Sequence, residues 1–167
     1  MNLQNSILNG EVVTREPAYY AGGTAAAHSG QDWGNTYAEV DMSAQHMWYV
    51  QNGQVVLETD VVTGEPIPSK ITPEGVYSLM WKQPNSVLVG DINPDTGEPA
   101  YRTKVKYWMQ VTSSGVGFHD ATWQTAFGGT LYQIPGTGSH GCINMPLDQA
   151  GALFNMIEPG IPVIFHW

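Results

Sequence analysis

From Thr36 to the C-terminus, the chain is a succession of short apolar segments separated by turn residues, and few folds accommodate that spacing. Apolar and polar residues alternate through most of these segments, which is typical of strands with one buried face. An Asn-Gly pair between the second and third segments is a strong hairpin signal. The predicted strands cover residues 37–41, 46–50, 55–62, 76–80, 104–111, 115–119 and 161–165. The chain is therefore predicted to be mainly β.

One segment near the C-terminus has the period of a helix. Pro146 suits a first helical position, and Asp148 falls in the first turn, where a negative charge is favourable. Pro159 and Gly160 end the segment. The residues of its single apolar stripe are Leu147, Ala150, Leu153, Phe154 and Ile157. We expect one helix here, followed by the last strand.

Two regions are predicted to lack long regular structure. Residues 16–35 contain a Gly-Gly pair, three consecutive alanines and no sustained period, which is typical of a tether. Residues 82–101 contain Pro84, Pro94 and Pro99 as well as two glycines, and are long enough to form a lid or a binding loop.

The net negative charge disfavours several classes of partner. Six Lys and Arg residues stand against 15 Asp and Glu residues, so the net charge is -9 at pH 7. An acidic surface gains nothing from counterion release on a phosphate polymer, and it is repelled by an anionic membrane. No apolar stretch reaches the ~18 residues that a membrane-spanning helix needs.

The single cysteine, Cys142, is the most informative residue for function. It cannot form an internal disulfide, so it is a buried filler, an intermolecular link, a metal ligand or a nucleophile. It follows Ser139, His140 and Gly141 and comes shortly before the predicted helix, at an end of an element rather than inside an apolar run. A thiolate at such a place would be stabilised by an imidazolium and by unpaired backbone amides.

The same segment offers donors for a developing oxyanion. Gly141 allows a sharp turn and a close approach of substrate because it has no Cβ. The backbone amides of Gly141 and Cys142, together with His140, are the predicted oxyanion hole.

His119 is the predicted general base. It lies at the end of a different predicted strand, from which it can approach the sulfur across the site. His140, two residues from Cys142, is less well placed to be held rigidly against the thiol. A base needs its tautomer fixed, either by a backbone carbonyl near Asp120 or by the Asp120 carboxylate.

Two other interpretations of these residues remain open. In one of them, Cys142 is an inert side chain and the chain is a non-catalytic wall-binding module. Alternatively, His119, His140 and Cys142 have the atom types of a zinc site, although they lack paired metal-ligand spacing and a clear fourth ligand. Trp123, four residues after His119, is predicted either to line the cleft or to pack in the core.

The segment from Ser139 to Asn144, preceded at a distance by His119, resembles the signature of the L,D-transpeptidase catalytic domain. That signature is a histidine, a spacer and Ser/Thr-His-Gly-Cys-apolar-Asn or Arg. Further similarities are Val-Thr-Gly at 62–64, Thr-Pro-Glu-Gly-Val-Tyr at 72–77 and Gly-Ile-Pro-Val-Ile at 160–164. The order of these motifs matches across residues 35–167.

The resemblance implies a β-sandwich-like fold of mixed sheets and a cofactor-free acyl transfer that cross-links peptidoglycan. Cys142 would attack a tetrapeptide stem after its third residue, releasing D-alanine, and His119 would act as base. The backbone carbonyl that orients the histidine maps to Asp120. Ser139 and His140 carry over as active-site positions.

The resemblance also implies partners and a location. We expect peptidoglycan stem peptides as donor and acceptor, a site of action at the cell wall outside the cytoplasm, and membrane attachment only through an anchor outside this sequence. Trp123, Asn144 and Tyr107 are the candidate substrate contacts. Residues 1–34 are predicted to be a linker and the remnant of a preceding wall-associated module, and residues 35–167 the catalytic domain.

Two departures from the family pattern concern substrate contacts. The spacer between His119 and Ser139 is slightly longer than is usual, and residues 82–101 fall where the family has a variable lid. Hydrolysis of the same acyl-enzyme, by an L,D-carboxypeptidase, would use the same residues, because water would replace the amine.

Overall fold

The computed structural model describes residues 33–167 of the chain, which form a mainly β structure with one α-helix. The elements are β1 (Tyr37–Asp41), β2 (His46–Gln51), β3 (Gln54–Asp60), β4 (Gly75–Ser78), β5 (Trp81–Val89), β6 (Arg102–Gln110), β7 (Gly117–Asp120), a short 3₁₀ helix (Leu131–Gln133), β8 (Ile143–Met145), α1 (Leu147–Met156) and β9 (Pro162–His166). The predicted fold class is confirmed. The predicted tether and module remnant at 1–34 lies outside the described residues, apart from its last two.

The strands form two mixed sheets. The first has the order β3–β2–β1–β9–β4, with β1 and β9 parallel, and the second has the order β5–β6–β7–β8, with β7 and β8 parallel. Isolated bridges join Val62 to Asn144 and Gly64 to Ser139. The segment that follows β3 therefore contacts the end of the second sheet at the predicted catalytic motif.

The larger of two buried apolar clusters lies between the sheets and the helix. Helix α1 packs against β6 and β7 and buries Ala150, Gly151 and Leu153. Burying an apolar side chain of the size of Leu stabilises the fold by roughly 1.5–3 kcal/mol. Fully buried core residues from the other elements include Val40, Met47, Val61, Met109, Phe118, Ile143, Met145 and Phe165. Pro146 is the N-cap and not the first helical residue, so α1 begins one residue later than predicted.

The prediction that residues 82–101 lack long regular structure is wrong for their first half. Strand β5 pairs antiparallel with β6 from Trp81 to Val89, and the two form the β5–β6 hairpin. Pro84 is tolerated because β5 is an edge strand, where an absent N–H costs no ladder hydrogen bond. Next to it, Asn85 has a positive φ of 54° and interrupts the pairing.

The structure also corrects the predicted position of Cys142. Strand β8 separates this residue from helix α1, and the pairing of Ile143 with Phe118 and of Asn144 with His119 places β8 beside β7. Three residues are too few to show a strand period in the sequence. The sulfur is therefore carried by a strand end and not by a helix N-terminus.

Candidate active site

The Cys142 thiol lies over the turn between β6 and β7. Its Sγ donates a hydrogen bond to the Gly115 carbonyl at 3.5 Å, and the Gly117 backbone also contacts it. Cys142 is partly exposed, but burial raises the pKa of its thiol from 9.0 to about 11, with the Gly117 hydrogen bond opposing the rise. The raised pKa favours a neutral thiol in the resting protein over the thiolate expected from the sequence.

His119 lies on β7, where it pairs with Trp108 on one side and Asn144 on the other. Its Nδ1 is 3.0 Å from the Asp120 backbone oxygen. Because a carbonyl can only accept, Nδ1 carries the hydrogen and Nε2 keeps its lone pair. Burial lowers the pKa of His119 below its ordinary value of 6.5, an effect that the hydrogen bond and charge of Asp120 oppose. A neutral imidazole with a free Nε2 lone pair has the form that a general base requires.

The Asp120 carboxylate has a different role from the one left open by the sequence. Its Oδ1 accepts hydrogen bonds from the backbone amides of Lys106 and Tyr107, each at 2.8 Å. Two groups of Asp120 were candidates for orienting the His119 ring. The backbone carbonyl contacts the ring, whereas the carboxylate binds backbone amides of β6. The carboxylate therefore ties the end of β7 to the neighbouring strand.

Four residues form what we call the Cys142 cradle: Gly64, Thr72, Ser139 and Gly141. Thr72 Oγ1 accepts from the Gly64 amide at 2.9 Å and donates to the Gly141 carbonyl at 2.8 Å. Ser139 Oγ accepts from the Gly141 amide at 3.0 Å and donates to the Cys142 carbonyl at 2.5 Å. Hydrogen bonds through two hydroxyl groups thus fix the backbone on both sides of the cysteine.

The cradle changes the predicted oxyanion hole. The Gly141 amide is used by Ser139 Oγ, so the prediction that it faces an oxyanion is not supported by this geometry. The backbone amide of Cys142 and the amide of His140 remain the predicted donors. Gly141 is needed for its conformation, since its φ of +116° is one that side chains rarely adopt.

Two cavities meet at Cys142. The larger, of about 470 Å³, is also lined by His119, Trp123 and Asn144, and the second, of about 410 Å³, is lined mainly by β5. Leu88 and Tyr101 line both cavities together with the cysteine. The β5–β6 hairpin therefore divides the space above the thiol, which is the position expected of a lid.

The aromatic residues near the base hold different positions. The rings of Trp108 and Trp123 lie 6.1 and 5.8 Å from the His119 ring, and Trp123 is 52% exposed. Trp123 thus lines the cleft, which was one of its two predicted positions. The exposed His140 packs its ring on Tyr101, with centroids 5.1 Å apart.

The structure places Tyr107, a candidate substrate contact, away from the cleft. Its ring packs on Phe154, with centroids 5.3 Å apart, and an added Cβ on Gly151 would lie 3.0 Å from it. Successive residues of a strand face opposite sides, so Trp108 faces His119 and Tyr107 faces helix α1. Tyr107 therefore packs between β6 and the helix and lines neither cavity.

Sequence reasoning missed several residues of the site. Thr72 stood inside a motif that was noticed only for its resemblance, and its hydroxyl is buried in the cradle. Glu65 accepts from Lys70 Nζ at 2.8 Å and from the Gly136 amide at 3.0 Å, which fixes one wall of the larger cavity. Lys70 and the Gly136 hydrogen bond lower the pKa of Glu65. No local pattern in the sequence indicates these pairings.

Within residues 33–167, no group of three or more His, Cys, Asp or Glu side chains is arranged to hold a metal ion. The residues of the zinc alternative are accordingly not gathered as ligands in the part of the chain that the structure describes. No helix in that part is long and apolar enough to cross a membrane.

The YkuD family model, described as the L,D-transpeptidase catalytic domain, matches residues 35–165. L,D-transpeptidase 1 of Mycobacterium tuberculosis is 30% identical over 126 residues, which are 73% of this chain and 47% of that protein. The probable L,D-transpeptidase 3 of the same species is 31% identical over 104 residues, or 58% of this chain and 35% of that protein. The chain thus spans less than half the length of these relatives.

Solved structures show the same fold. The crystal structure of a cysteine-to-serine mutant of the Enterococcus faecium L,D-transpeptidase is 42% identical, with a TM-score of 0.71 over 98% of this chain and 61% of that chain. The catalytic domain of the E. faecium enzyme acylated by ertapenem is 45% identical, with a TM-score of 0.66 over 79% of this chain and 97% of that chain.

Proposed function

The chain belongs to the L,D-transpeptidase catalytic domain family, and on that premise we propose that it forms peptidoglycan cross-links by acyl transfer through Cys142. The observation that carries the proposal is that the Cys142 thiol and the His119 imidazole line one cavity, with the His119 ring oriented by the Asp120 carbonyl. The family acts on peptidoglycan stem peptides, and its members are cell-wall enzymes. We accordingly propose stem peptides as partners and the cell wall as the location.

In the first step, Cys142 attacks the carbonyl carbon of the third residue of a donor tetrapeptide. His119 Nε2 accepts the thiol proton as the carbon–sulfur bond forms, so that thiolate and imidazolium do not have to exist in the resting enzyme. The raised thiol pKa and the lowered imidazole pKa both favour this neutral starting pair. His119 then returns the proton to the departing amine of D-alanine, and a thioester remains.

The tetrahedral intermediate carries a negative charge on the former carbonyl oxygen. The Cys142 and His140 backbone amides are the proposed donors to it, since the Gly141 amide is used within the cradle. Loss of one such donor in other enzymes reduces kcat by roughly 10²–10³.

In the second step, the amine of an acceptor stem attacks the thioester. His119 takes a proton from that amine, a peptide bond forms, and the sulfur leaves as a restored thiol. Two cavities that meet at Cys142 supply separate approaches for donor and acceptor.

The test is to incubate the protein with a tetrapeptide donor and an amine acceptor and to follow intact mass and products. We expect an acyl-enzyme on Cys142, free D-alanine and a cross-linked product. Cys142→Ala removes the only thiol and should abolish all three, while Tyr107→Phe is a matched control because its ring packs away from both cavities. Activity in the alanine variant would overturn the assignment.

Hydrolysis is the second candidate outcome, because the partly exposed Cys142 would leave its thioester open to water. Omission of the acceptor distinguishes the two reactions, since an L,D-carboxypeptidase would release the shortened peptide at the same rate with or without the amine. A penem or carbapenem should also acylate Cys142, as ertapenem does the E. faecium domain. The absence of any adduct with either the donor or the β-lactam would favour a binding module.

A further inference from the structure

Trp81 is an exposed aromatic side chain that the proposed mechanism does not use. It is the first residue of the edge strand β5, and it is 39% exposed to solvent. Its ring meets the buried Trp108 ring edge to face, with centroids 6.5 Å apart and planes at 70°. Such a contact uses at most one face of either ring. At least one face of the Trp81 indole is therefore not covered by Trp108.

The second cavity surrounds Trp81 with side chains that are polar but uncharged. Its lining includes four amide or hydroxyl side chains, those of Gln83, Asn85, Ser86 and Gln110. Among the described residues that line this cavity, none is Asp, Glu, Lys or Arg, although the chain as a whole has a net charge of -9. Amide side chains both donate and accept hydrogen bonds. The lining therefore suits a neutral ligand that combines an apolar face with several hydroxyl or amide groups.

The strand register places Trp81 and Cys142 in one row across the second sheet. Trp81 pairs with Gln110, which in turn pairs with Gly117. The parallel register of β7 and β8 brings Gly117 level with Cys142, and the Gly117 backbone contacts the thiol. His119 is two positions from Gly117 and so shares this face of the sheet. The row spans three strand spacings, or about 14 Å, from the tryptophan to the cysteine.

We propose that Trp81 and the second cavity bind a sugar ring of the glycan strand that carries the donor stem. This inference rests on the proposed function for the identity of the substrate. Three residues lie between the sugar and the carbonyl that Cys142 attacks, and they span at most about 11 Å when extended. The group that joins them to the glycan and the sugar ring itself cover the remaining distance to Trp81.

A neutral N-acetylhexosamine ring matches both features of the cavity. One face of such a ring presents C–H groups, which are attracted to the negative face of an indole. Its hydroxyl and acetamido groups can form hydrogen bonds with the amides of Gln83 and Gln110. Gln110 lies directly opposite Trp81, and its amide is oriented by donation from Nε2 to the Thr112 carbonyl at 3.0 Å. The peptide part of a stem carries carboxylate and amine groups, for which the described lining offers no charged partner.

The experiment compares the donor tetrapeptide with the same tetrapeptide joined to its disaccharide. Binding is measured by calorimetry in the Cys142→Ala background, so that neither probe is turned over. We expect the disaccharide to tighten binding about tenfold, because a weak sugar contact that is covalently joined to the peptide acts at a high effective concentration. In Trp81→Leu, which keeps an apolar side chain but has no aromatic face, the two probes should bind equally well. Trp81→Phe keeps a smaller aromatic face and should retain part of the gain.

Trp167→Ala is the matched control, because it removes a tryptophan of similar exposure, 44%, that follows the last strand of the other sheet. The gain from the disaccharide should persist there. A role of Trp81 in stability alone would lower the thermal unfolding temperature without changing the ratio of the two affinities. If the Trp81 variants do not fold, Gln83→Leu carries the test, since it removes an exposed amide from the cavity and should reduce the gain several-fold.

Three results would overturn the proposal: no gain from the disaccharide, a full gain in Trp81→Leu, or loss of the gain in Trp167→Ala. Failure of the disaccharide-linked peptide to bind would overturn it as well. Turnover of the tetrapeptide by the chain with Cys142 intact judges the proposed function separately. A chain that binds the sugar through Trp81 but does not process the stem would retain the sugar site and lose the proposed reaction.

Discussion

The two sides of the space around Cys142 are built differently. The Cys142 cradle is buried and held by four hydrogen bonds among backbone groups and the hydroxyls of Thr72 and Ser139. The β5–β6 hairpin, by contrast, is the edge of its sheet and exposes Val87, Val89 and Ile92. The cradle leaves no space for a side chain at Gly64, since an added Cβ would lie 1.9 Å from the Lys70 carbonyl. Gly97 in the hairpin has no atom within 4 Å of that position.

The difference separates the two tasks of the enzyme that we propose. Attack on a carbonyl needs the sulfur, the base and the donors held to a fraction of an ångström, which a buried network provides. Accommodation of two stem peptides needs a surface that can adapt. Residues 81–104 of the hairpin include no buried residue, and such an exposed segment has low local stability. Substitutions in the cradle should therefore affect folding and chemistry together, and substitutions in the hairpin should affect substrate binding alone.

The largest effect is expected for Gly64→Ala. The new methyl group would lie 1.9 Å from the Lys70 carbonyl and 3.0 Å from Gly141 Cα, so the backbone must move. We expect a loss of about 3 kcal/mol or more in the free energy of unfolding and no transpeptidation. The control is Gly97→Ala, where φ is +71° but space is open, with an expected cost of about 1 kcal/mol and full activity. Similar losses in the two variants, measured by denaturant unfolding, would contradict the comparison.

A smaller effect is expected for Thr72→Val, which keeps the shape of the side chain but removes its hydroxyl. The Gly64 amide and the Gly141 carbonyl then stay buried without partners, at about 1–3 kcal/mol each. We expect thermal unfolding several degrees lower and a clear loss in kcat. Ser86→Ala in the hairpin removes one exposed hydrogen bond of 3.4 Å and should cost less than about 0.5 kcal/mol. A Thr72→Val protein as stable as Ser86→Ala would refute the role of the cradle.

The pH dependence of the reaction tests whether Cys142 and His119 are both neutral in the resting protein. Activity needs an unprotonated His119, whose pKa is lowered by burial, so the acid limb of kcat/KM should have its midpoint below pH 6.5. The thiol pKa is about 11, so alkylation of Cys142 by iodoacetamide should keep accelerating up to that pH. An acid midpoint above 6.5, or an alkylation rate that levels off near pH 7, would show a resting thiolate–imidazolium pair instead.

The smallest effect on stability is expected for Leu88→Ala in the hairpin. Leu88 lines both cavities and is partly exposed, so its loss removes substrate contacts more than core contacts. We expect KM for the donor to rise roughly three- to tenfold with kcat little changed and a change in unfolding free energy below about 1 kcal/mol. Val56→Ala, an exposed position in the other sheet, is the control and should change neither constant. A fall in kcat with unchanged KM would place Leu88 with the cradle.

The elements that sequence reasoning found are those with a complete local signal. Strand β1 matches its prediction at both ends, and helix α1 shows the apolar stripe that predicted it. Strand β5 was missed because Pro84 usually interrupts a strand, and only its edge position, set by the sheet as a whole, makes the proline tolerable. Strand β8 was missed because three residues have no period.

The residues of the candidate site likewise separate into those with a local sequence signal and those without one. The motif residues Cys142 and His119 line one cavity, and Trp123 lines it too, which was one of the two positions predicted for that residue. Tyr107 was misplaced because the face of a strand to which a residue points depends on register, which a single residue does not reveal. Gln124, which also lines this cavity, carried no signal, since its two hydrogen bonds join it to residues 13 and 20 positions away.

By itself, the sequence determined that the chain has one thiol, that a glycine turn precedes it, and that a distant histidine on a strand can serve it. Tertiary structure alone decided that burial raises the pKa of the thiol, that Ser139 occupies the Gly141 amide, and that the Asp120 carbonyl orients the imidazole. The physical reason is that residue identity and backbone preference are local properties. A pKa value or a free hydrogen-bond donor instead depends on which atoms from remote segments surround the group and exclude water.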